Sequence, residues 1–256
     1  MKKACFGGEK ILYKKTPFSE LYLERLAILE NEVTIYPVCC EAVAHGRSDE
    51  EWLDAVLAGG AKLVQLRDKI SDDRRLLEKA QYFRKKTREA GALFLVNDRF
   101  DIALLTDADG VHVGQDDLPP EEIRRLAPDW IIGLSCMTKE HVLALQKTID
   151  AGIHGASYYN IGPIYPTRTK EGLKDFLGAD KIRGISENCE LPFTVMGGIK
   201  FENIDELVAV GARRIAVVTA INQAESIADA TARWALHISE VQKNSNIGSK
   251  VLEDKI

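Results

Sequence analysis

The sequence predicts a single α/β domain, a (β/α)8 TIM barrel with an N-terminal helical extension. The chain has 256 residues, a length that suits one barrel domain. From residue 33 onward, eight short apolar runs alternate with eight segments of helical period. Strands that alternate with helices pair in parallel through right-handed crossovers, and closing eight such units removes the exposed edges of an open sheet.

The strand candidates come first in each unit and are rich in β-branched residues. They are residues 33–38, 62–66, 93–96, 110–113, 131–134, 156–161, 193–196 and 214–218. The helix candidates are residues 49–58, 72–90, 99–106, 119–127, 138–151, 179–188, 201–210 and 222–242. A doubly wound open sheet is the alternative, but the G-x-G-x-x-G turn expected after its first strand is missing.

Boundary signals support several helices. Ser48 and Glu51 have the spacing of a capping box. Gly91, Gly152 and Gly211 follow helical segments, where a left-handed cap favours glycine.

Three regions are expected along the chain. Residues 1–32 form an extension whose segment 17–30 has helical spacing and would cover the bottom of the barrel or meet a partner. Residues 33–243 form the barrel, and residues 244–256 form a polar tail.

Composition limits the classes of partner and the location. A net charge of −5 argues against a broad nucleic-acid surface. No apolar run reaches the roughly 18 residues of a membrane span, and the N-terminus lacks the pattern of a secretion signal. Five cysteines without C-x-x-C spacing favour free thiols in a reducing cytoplasm.

Polar residues gather where the predicted strands end, which is where barrel enzymes place their active sites. Gln65, Arg67 and Lys69 end the second strand and share one side by alternation. An amide and two cations that face inward need an anionic partner, and a phosphate or diphosphate matches these donors.

The next two strand ends carry carboxylates. Asn97 and Asp98 end the third strand, and His112 begins a segment that reaches Asp116 and Asp117. Carboxylates beside cations suit Mg²⁺, with Asp98 and Asp117 as the preferred pair and Asp116 as a competing candidate. Asp98 would alternatively cap the next helix, and His112 suits either a core position or a substrate contact.

The remaining ends add donors for a second anion. Ser135 ends the fifth strand, and the loop 162–172 after the sixth contains Thr167, Thr169 and Lys170, as a lid that grips phosphate would need. The seventh and eighth ends, near Gly198 and Val218–Thr219, are the usual monophosphate site of such barrels.

From about residue 33 to 222 the chain resembles the thiamine phosphate synthase family through seven motifs in order. The motifs are residues 64–69 (VQLRDK), 96–99 (VNDR), 109–117 (DGVHVGQDD), 133–135 (GLS), 162–170 (GPIYPTRTK), 197–199 (GGI) and 218–221 (VTAI). The family joins a hydroxymethylpyrimidine diphosphate to hydroxyethylthiazole phosphate with Mg²⁺, which gives thiamine phosphate and diphosphate.

The resemblance implies a role for each matching residue. Gln65, Arg67, Lys69, Asn97 and Lys170 would bind the diphosphate, and Asp98 and Asp117 would hold Mg²⁺. Ser135 would contact the diphosphate or the pyrimidine, Thr167 and Thr169 the thiazole, and Gly198, Val218 and Thr219 its phosphate. His112 is added to the expected substrate contacts because of its axial position. Arg67, Lys69, Lys170 and Ser135 are the expected catalytic residues.

The chain departs from the family at Cys39–Cys40, at Ser157 where Asp is usual, and in its N-terminal extension. A thiazole tautomerase-like isomerase and a non-catalytic barrel that binds phosphate ligands are the rival functions. The expected partners are small-molecule substrates, without nucleic acid or membrane, and the sequence is compatible with a homo-oligomer.

Overall fold

The computed structural model describes residues 18–40, 43, 46–167 and 175–253, with side chains up to residue 245. Eight strands form a closed barrel in which each is parallel to the next and β8 pairs with β1. The strands are β1 Ile35–Cys39, β2 Leu63–Leu66, β3 Leu93–Asn97, β4 Gly110–Val113, β5 Ile131–Cys136, β6 Tyr158–Ile161, β7 Phe193–Val195 and β8 Ile215–Val217. The predicted barrel is confirmed.

Helices alternate with the strands. They are α1 Glu20–Asn31, α2 Asp49–Ala58, α3 Asp73–Ala90, α4 Phe100–Leu105, α5 Pro120–Leu126, α6 Lys139–Asp150, α7 Asp180–Ser186, α8 Ile204–Ala209, α9 Thr219–Asn222 and α10 Ile227–Glu253, with a 3₁₀ turn at Phe201–Asn203. The last predicted helix, 222–242, begins later and extends further than expected. Its predicted end rested on polarity alone, and no proline follows residue 242 to interrupt the helix.

Two of the predicted helix boundaries have the caps that the sequence indicated. The Ser48 hydroxyl accepts a hydrogen bond from the Glu51 backbone N–H at 3.1 Å, and the Glu51 carboxylate accepts one from the Ser48 N–H at 3.0 Å. Gly91 ends α3 with φ of 61°, in the left-handed region that glycine adopts without strain. These caps therefore fix where α2 begins and where α3 ends.

Strand residues divide into two sets by alternation. One set faces the helices and forms the larger apolar cluster, which includes Val64, Phe94 and Val111. The other set faces the barrel axis and includes Tyr36, Leu63, Leu95, Ile131 and Tyr158. Toward the carboxyl ends of the strands the axial set becomes polar, so the apolar interior lies beneath a polar mouth.

Helix α1 packs against the bottom of the barrel. Its Tyr22 and Leu29 are buried in the axial cluster. Arg25 of α1 forms an ion pair with Asp109 at 3.0 Å, at the start of β4. The helix is therefore part of the folded core, and no helix among the described residues is long and apolar enough to cross a membrane.

Arg214, before β8, holds the end of α1. Its buried guanidinium donates to the Leu29 and Glu30 carbonyls at 2.7 and 2.8 Å, which are among the helix-end acceptors without an intrahelical partner. We expect Arg214→Met to lower the free energy of unfolding by about 2 kcal/mol, because charged hydrogen bonds to buried acceptors are lost.

Urea unfolding followed by circular dichroism measures this effect. The matched control is Arg213→Met, because Arg213 is the exposed neighbour. Equal midpoints for the two variants would contradict a role for Arg214 in holding α1.

Candidate active site

The predicted site residues of β2 to β5 lie on adjacent strands at the same end of the barrel. Asn97 is in register with His112, and His112 is in register with Gly133. Ser135 on β5 is in register with Asn160 on β6. Because parallel strands bring their carboxyl ends together, residues that are far apart in sequence form one polar surface.

Asp98, Asp117 and Lys69 form a charged cluster on this surface. The Lys69 ammonium makes an ion pair with Asp98. Burial raises the pKa of Asp98, and the nearby Asp117 carboxyl raises it further, while Lys69 opposes both effects. Two carboxyls that repel each other in this way are a suitable place for a cation.

Local backbone geometry sets this cluster. Asp98 has φ of 59°, and its N–H donates to the His112 carbonyl at 2.9 Å, which turns the chain directly after β3. Asp117 accepts a hydrogen bond from the Gly114 N–H at 2.7 Å. The N-cap residue of α4 is Arg99, so Asp98 does not fill the capping position that was its alternative role.

Asp98 and Asp117 are the residues that would hold a divalent cation. Among the described residues, no group of three or more His, Cys, Asp or Glu side chains forms a metal cage. Mg²⁺ needs no such cage, since it commonly binds one or two carboxylates together with substrate phosphates and water. The donor set therefore fits Mg²⁺ that arrives with a phosphorylated substrate.

Arg67 and Lys69 flank a buried anchor that the sequence analysis missed. Asp68, between them, forms an ion pair with Lys79 of α3 at 2.7 Å, and Lys79 also pairs with Asp49 at 2.8 Å. The Asp68 carboxylate accepts the Ser71 backbone N–H at 2.9 Å as well. The available signal was alternation, because Asp68 must face away from the axis when Arg67 faces it.

Asp68 should make stability depend on acid pH. Burial alone would raise the pKa of Asp68, but the hydrogen bonds from Lys79 and Ser71 outweigh it and hold the pKa well below its usual range. The ionised carboxylate therefore stabilises the fold above the usual Asp pKa of about 4, and this contribution is lost as the pH falls below it.

We expect Asp68→Asn to lower the free energy of unfolding by about 2 kcal/mol at pH 7, and the difference from the parent to shrink below pH 4. Urea unfolding at several pH values measures it. Asp73→Asn is the control, because the Asp73 side chain is 79% exposed and its surface pair with Arg99 contributes little. If the two proteins differ in free energy of unfolding by the same amount at every pH, the ionised Asp68 carboxylate is not the source of the stability.

A series of buried hydrogen bonds runs beneath the mouth. His112 joins the Tyr158 hydroxyl through Nδ1 at 2.8 Å and the Ser135 hydroxyl through Nε2 at 2.9 Å. Tyr158 contacts the Tyr36 hydroxyl at 3.1 Å, and Tyr36 accepts from Gln65. Burial lowers the pKa of His112 to about 4, against the opposing charge of Asp117, so the imidazole is neutral at pH 7.

Gly133 makes room for this series. A Cβ at Gly133 would lie 2.3 Å from His112 Nδ1 and from the Tyr158 ring. The glycine within β5 therefore has a packing reason that alternation alone does not reveal.

Three further polar residues face the axis and were not predicted from the sequence. Tyr36 and Tyr158 belong to the buried series, and Asn160 accepts a hydrogen bond from the buried Thr194 hydroxyl at 2.8 Å. Period-two alternation along the predicted strand 156–161 would have placed Asn160 on the same side as Tyr158.

Strands β6 to β8 form the other half of the mouth. The loop after β6 is held to β7, since Ile164 N–H donates to the Met196 carbonyl and Tyr165 N–H to the Gly197 carbonyl, both at 2.9 Å. Gly198 has φ of 63°, and a Cβ there would meet the Pro166 carbonyl oxygen at 2.4 Å. Glycine is therefore required where this loop approaches β7.

The structure places the remaining predicted residues as follows. Thr167 is half-buried at the end of a described segment, and Thr169 and Lys170 lie outside the described residues. Val218 and Thr219 are half-buried after β8, where α9 begins. Ser157 accepts from Arg124 at 2.8 Å just before β6, so it lies away from the mouth.

Comparisons with known proteins identify what the chain is similar to. Residues 35–221 match the model of the family described as thiamine monophosphate synthase. The thiamine-phosphate synthase of Shouchella clausii is 40% identical over 194 residues, which cover 75% of this chain and 90% of that protein. The thiamine-phosphate synthase of Pelotomaculum thermopropionicum is 41% identical over 197 residues, or 77% of this chain and 88% of that protein.

A solved structure agrees with these relatives. The thiamine phosphate pyrophosphorylase of Pyrococcus furiosus superposes with a TM-score of 0.74 at 33% identity. The match covers 83% of this chain and 98% of that one, so the whole barrel is shared.

Proposed function

The chain belongs to the thiamine monophosphate synthase family, whose transferases condense a pyrimidine with a thiazole unit, and on that premise we propose its substrates, metal and site. The substrates are 4-amino-2-methyl-5-hydroxymethylpyrimidine diphosphate and hydroxyethylthiazole phosphate. The products are thiamine phosphate and diphosphate. One observation supports the proposal most directly: cations, carboxylates and the Ser135 hydroxyl lie at the carboxyl ends of four adjacent strands.

The diphosphate half of the site lies over β2 to β5. Arg67 and Lys69 would bind the diphosphate oxygens, together with Gln65 and Asn97, because guanidinium, ammonium and amide groups donate to them. Lys170 joins this set by family resemblance. Asp98 and Asp117 would hold Mg²⁺, which when bound neutralises negative charge on the diphosphate.

The thiazole half lies over β6 to β8. Thr167 and Thr169 would contact the thiazole substrate. Gly198, Val218 and Thr219 would surround its phosphate, where backbone N–H groups after β7 and β8 can donate to an anion. The two halves leave the pyrimidine between the leaving group and the attacking nitrogen.

The chemical steps follow from this placement. The bond between the hydroxymethyl carbon and the diphosphate oxygen breaks, and its electron pair leaves with the diphosphate. Arg67 and Lys69 stabilise the charge that develops there. The thiazole nitrogen then donates its pair to the methylene carbon, which the 4-amino group of the pyrimidine has stabilised as a cation. A fixed near-attack geometry favours this step, and no protein nucleophile takes part.

The buried thiols agree with that last point. Cys136 is buried at the end of the site strand β5, and burial raises its pKa to about 12, so it is a packed thiol rather than a nucleophile. Free thiols at the four described cysteines also support the cytoplasmic location that we propose. The homo-oligomer that the sequence permits stays a prediction.

Incubation of the protein with both substrates tests the function. We expect thiamine phosphate and diphosphate in equal amounts with Mg²⁺, and neither with excess chelator or with one substrate omitted. Isomerisation of a thiazole phosphate without release of diphosphate would instead support the tautomerase. Binding of the thiazole phosphate without turnover would support the non-catalytic barrel.

A further inference from the structure

The buried hydrogen bonds beneath the mouth form an unbroken series across the barrel axis. The series begins at Gln65 on β2 and passes through Tyr36 on β1 and Tyr158 on β6. It continues through both ring nitrogens of His112 on β4 and ends at Ser135 on β5. Five strands, β1, β2, β4, β5 and β6, are thereby connected across the barrel.

The hydrogen count gives the series a direction. Gln65 turns its amide nitrogen toward Tyr36, and an amide nitrogen can only donate. The Tyr36 oxygen therefore accepts, and its own hydrogen is left for Tyr158 at 3.1 Å. The Tyr158 hydrogen is then left for His112 Nδ1 at 2.8 Å.

The direction continues through the imidazole. A neutral imidazole whose Nδ1 accepts carries its hydrogen on Nε2, which donates to the Ser135 oxygen at 2.9 Å. The Ser135 hydroxyl hydrogen is then not used within the series. Ser135 is half-buried near the end of β5, next to the polar mouth.

We propose that Gln65, acting through Tyr36, Tyr158 and His112, fixes the Ser135 hydroxyl as a hydrogen-bond donor to the substrate. Tyr36 and Tyr158 are then positioning residues for the reaction. The value of such a donor rests on the proposed function, because diphosphate oxygens and pyrimidine ring nitrogens only accept hydrogen bonds.

Burial enforces the arrangement. Tyr36 is 1% exposed and Tyr158 is fully buried, so a hydroxyl hydrogen without an acceptor would be costly. In the reverse direction, the Gln65 amide oxygen would accept from Tyr36 and His112 Nδ1 would donate to Tyr158. The Ser135 hydroxyl would then donate its hydrogen to His112 Nε2. Ser135 would then offer only lone pairs to the substrate, which the substrate's acceptors could not use.

The tautomer of His112 reports the direction without any assay of activity. We expect ¹⁵N NMR of the substrate-free parent protein at pH 7, with His112 assigned, to show a protonated Nε2 and an unprotonated Nδ1. The excess over the other tautomer should be about tenfold, as one hydrogen bond contributes. A hydrogen on Nδ1, or on both nitrogens, would overturn the proposal.

Tyr158→Phe tests whether the series sets the tautomer. The variant keeps the ring but removes the hydroxyl that donates to Nδ1, so the two tautomers should approach equal populations. Tyr159→Phe is the matched control, because Tyr159 lies on the same strand as Tyr158 but its hydroxyl donates to the Ser186 carbonyl, outside the series. An unchanged tautomer ratio in Tyr158→Phe would reject the series as its source, and the parent spectrum decides the direction if that variant does not fold.

Activity provides the second readout. We expect kcat for thiamine phosphate to fall about tenfold in Tyr158→Phe and to stay near the parent value in Tyr159→Phe. Equal kcat in the two variants would show that the hydrogen-bond series does not affect turnover. A parent protein with the expected tautomer but no synthesis would refute the proposed function alone, so the two failures are distinguishable.

Discussion

Replacement of Arg67 with alanine is expected to lower kcat about 1000-fold while the barrel stays folded. The guanidinium is half-buried at the end of β2, where it would meet the diphosphate in the transition state. Loss of one hydrogen-bond donor at a developing oxyanion costs on the order of 10²–10³ in rate, and loss of an arginine at a transferring phosphate costs about 10³ or more.

The fold should tolerate this change because the recorded side-chain contact of Arg67 is weak. Its Nη1 lies 3.6 Å from the Cys40 sulfur, whereas the backbone N–H donates to the Cys39 carbonyl at 3.1 Å in any variant. Asp68 and Lys79 also keep the loop in place without the guanidinium. The free energy of unfolding, measured in urea, should therefore differ from that of the parent by less than about 1 kcal/mol.

Two further variants make the result specific. Arg67→Lys keeps the charge but not the planar pair of donors, so we expect intermediate activity. Arg74→Ala removes an exposed arginine from the first turn of α3 and should leave kcat within twofold of the parent. Turnover by Arg67→Ala within threefold of the parent would reject a role for Arg67 in the departure of diphosphate.

Asp117→Asn is expected to lower kcat about 100-fold and to raise the Mg²⁺ concentration that gives half-maximal activity. Asparagine keeps an oxygen for the Gly114 N–H, so the turn after β4 should survive. It loses the charge that, with Asp98, would hold the cation against the diphosphate.

The neighbouring aspartate is the control for this variant. Asp116 is exposed, and its carboxylate is not among the groups that raise the pKa of Asp98. We therefore expect Asp116→Asn to retain the parent kcat and Mg²⁺ dependence in the same titration. Equal losses in both variants would mean that the acidic loop acts through its total charge, and a loss in Asp116→Asn alone would exchange the two assignments.

The periodicity of the chain predicted the barrel and also predicted that polar side chains collect where its strands end. Alternation along β2 placed Gln65 and Arg67 on one side, and both the axial position of His112 and the capping of α2 followed from local patterns. These features are local because side-chain direction repeats every two residues in a strand, whatever the partners are.

Tertiary structure decided which of these side chains meet. The residue patterns left Asp116 and Asp117 as alternatives, and only the fold of the loop after β4 brings the Asp117 carboxyl to Asp98. Likewise, Lys79 of α3 forms its ion pair with Asp68 only when α3 packs against β2.

The buried hydrogen-bond series shows the limit most clearly. Tyr36 and Tyr158 are 122 residues apart, yet barrel closure brings their hydroxyls within 3.1 Å. The sequence by itself determined the fold and the end of the barrel at which polar side chains collect. Contact distances, buried charges and the direction of hydrogen bonds arose only from closure, because these depend on strand register and on the exclusion of water.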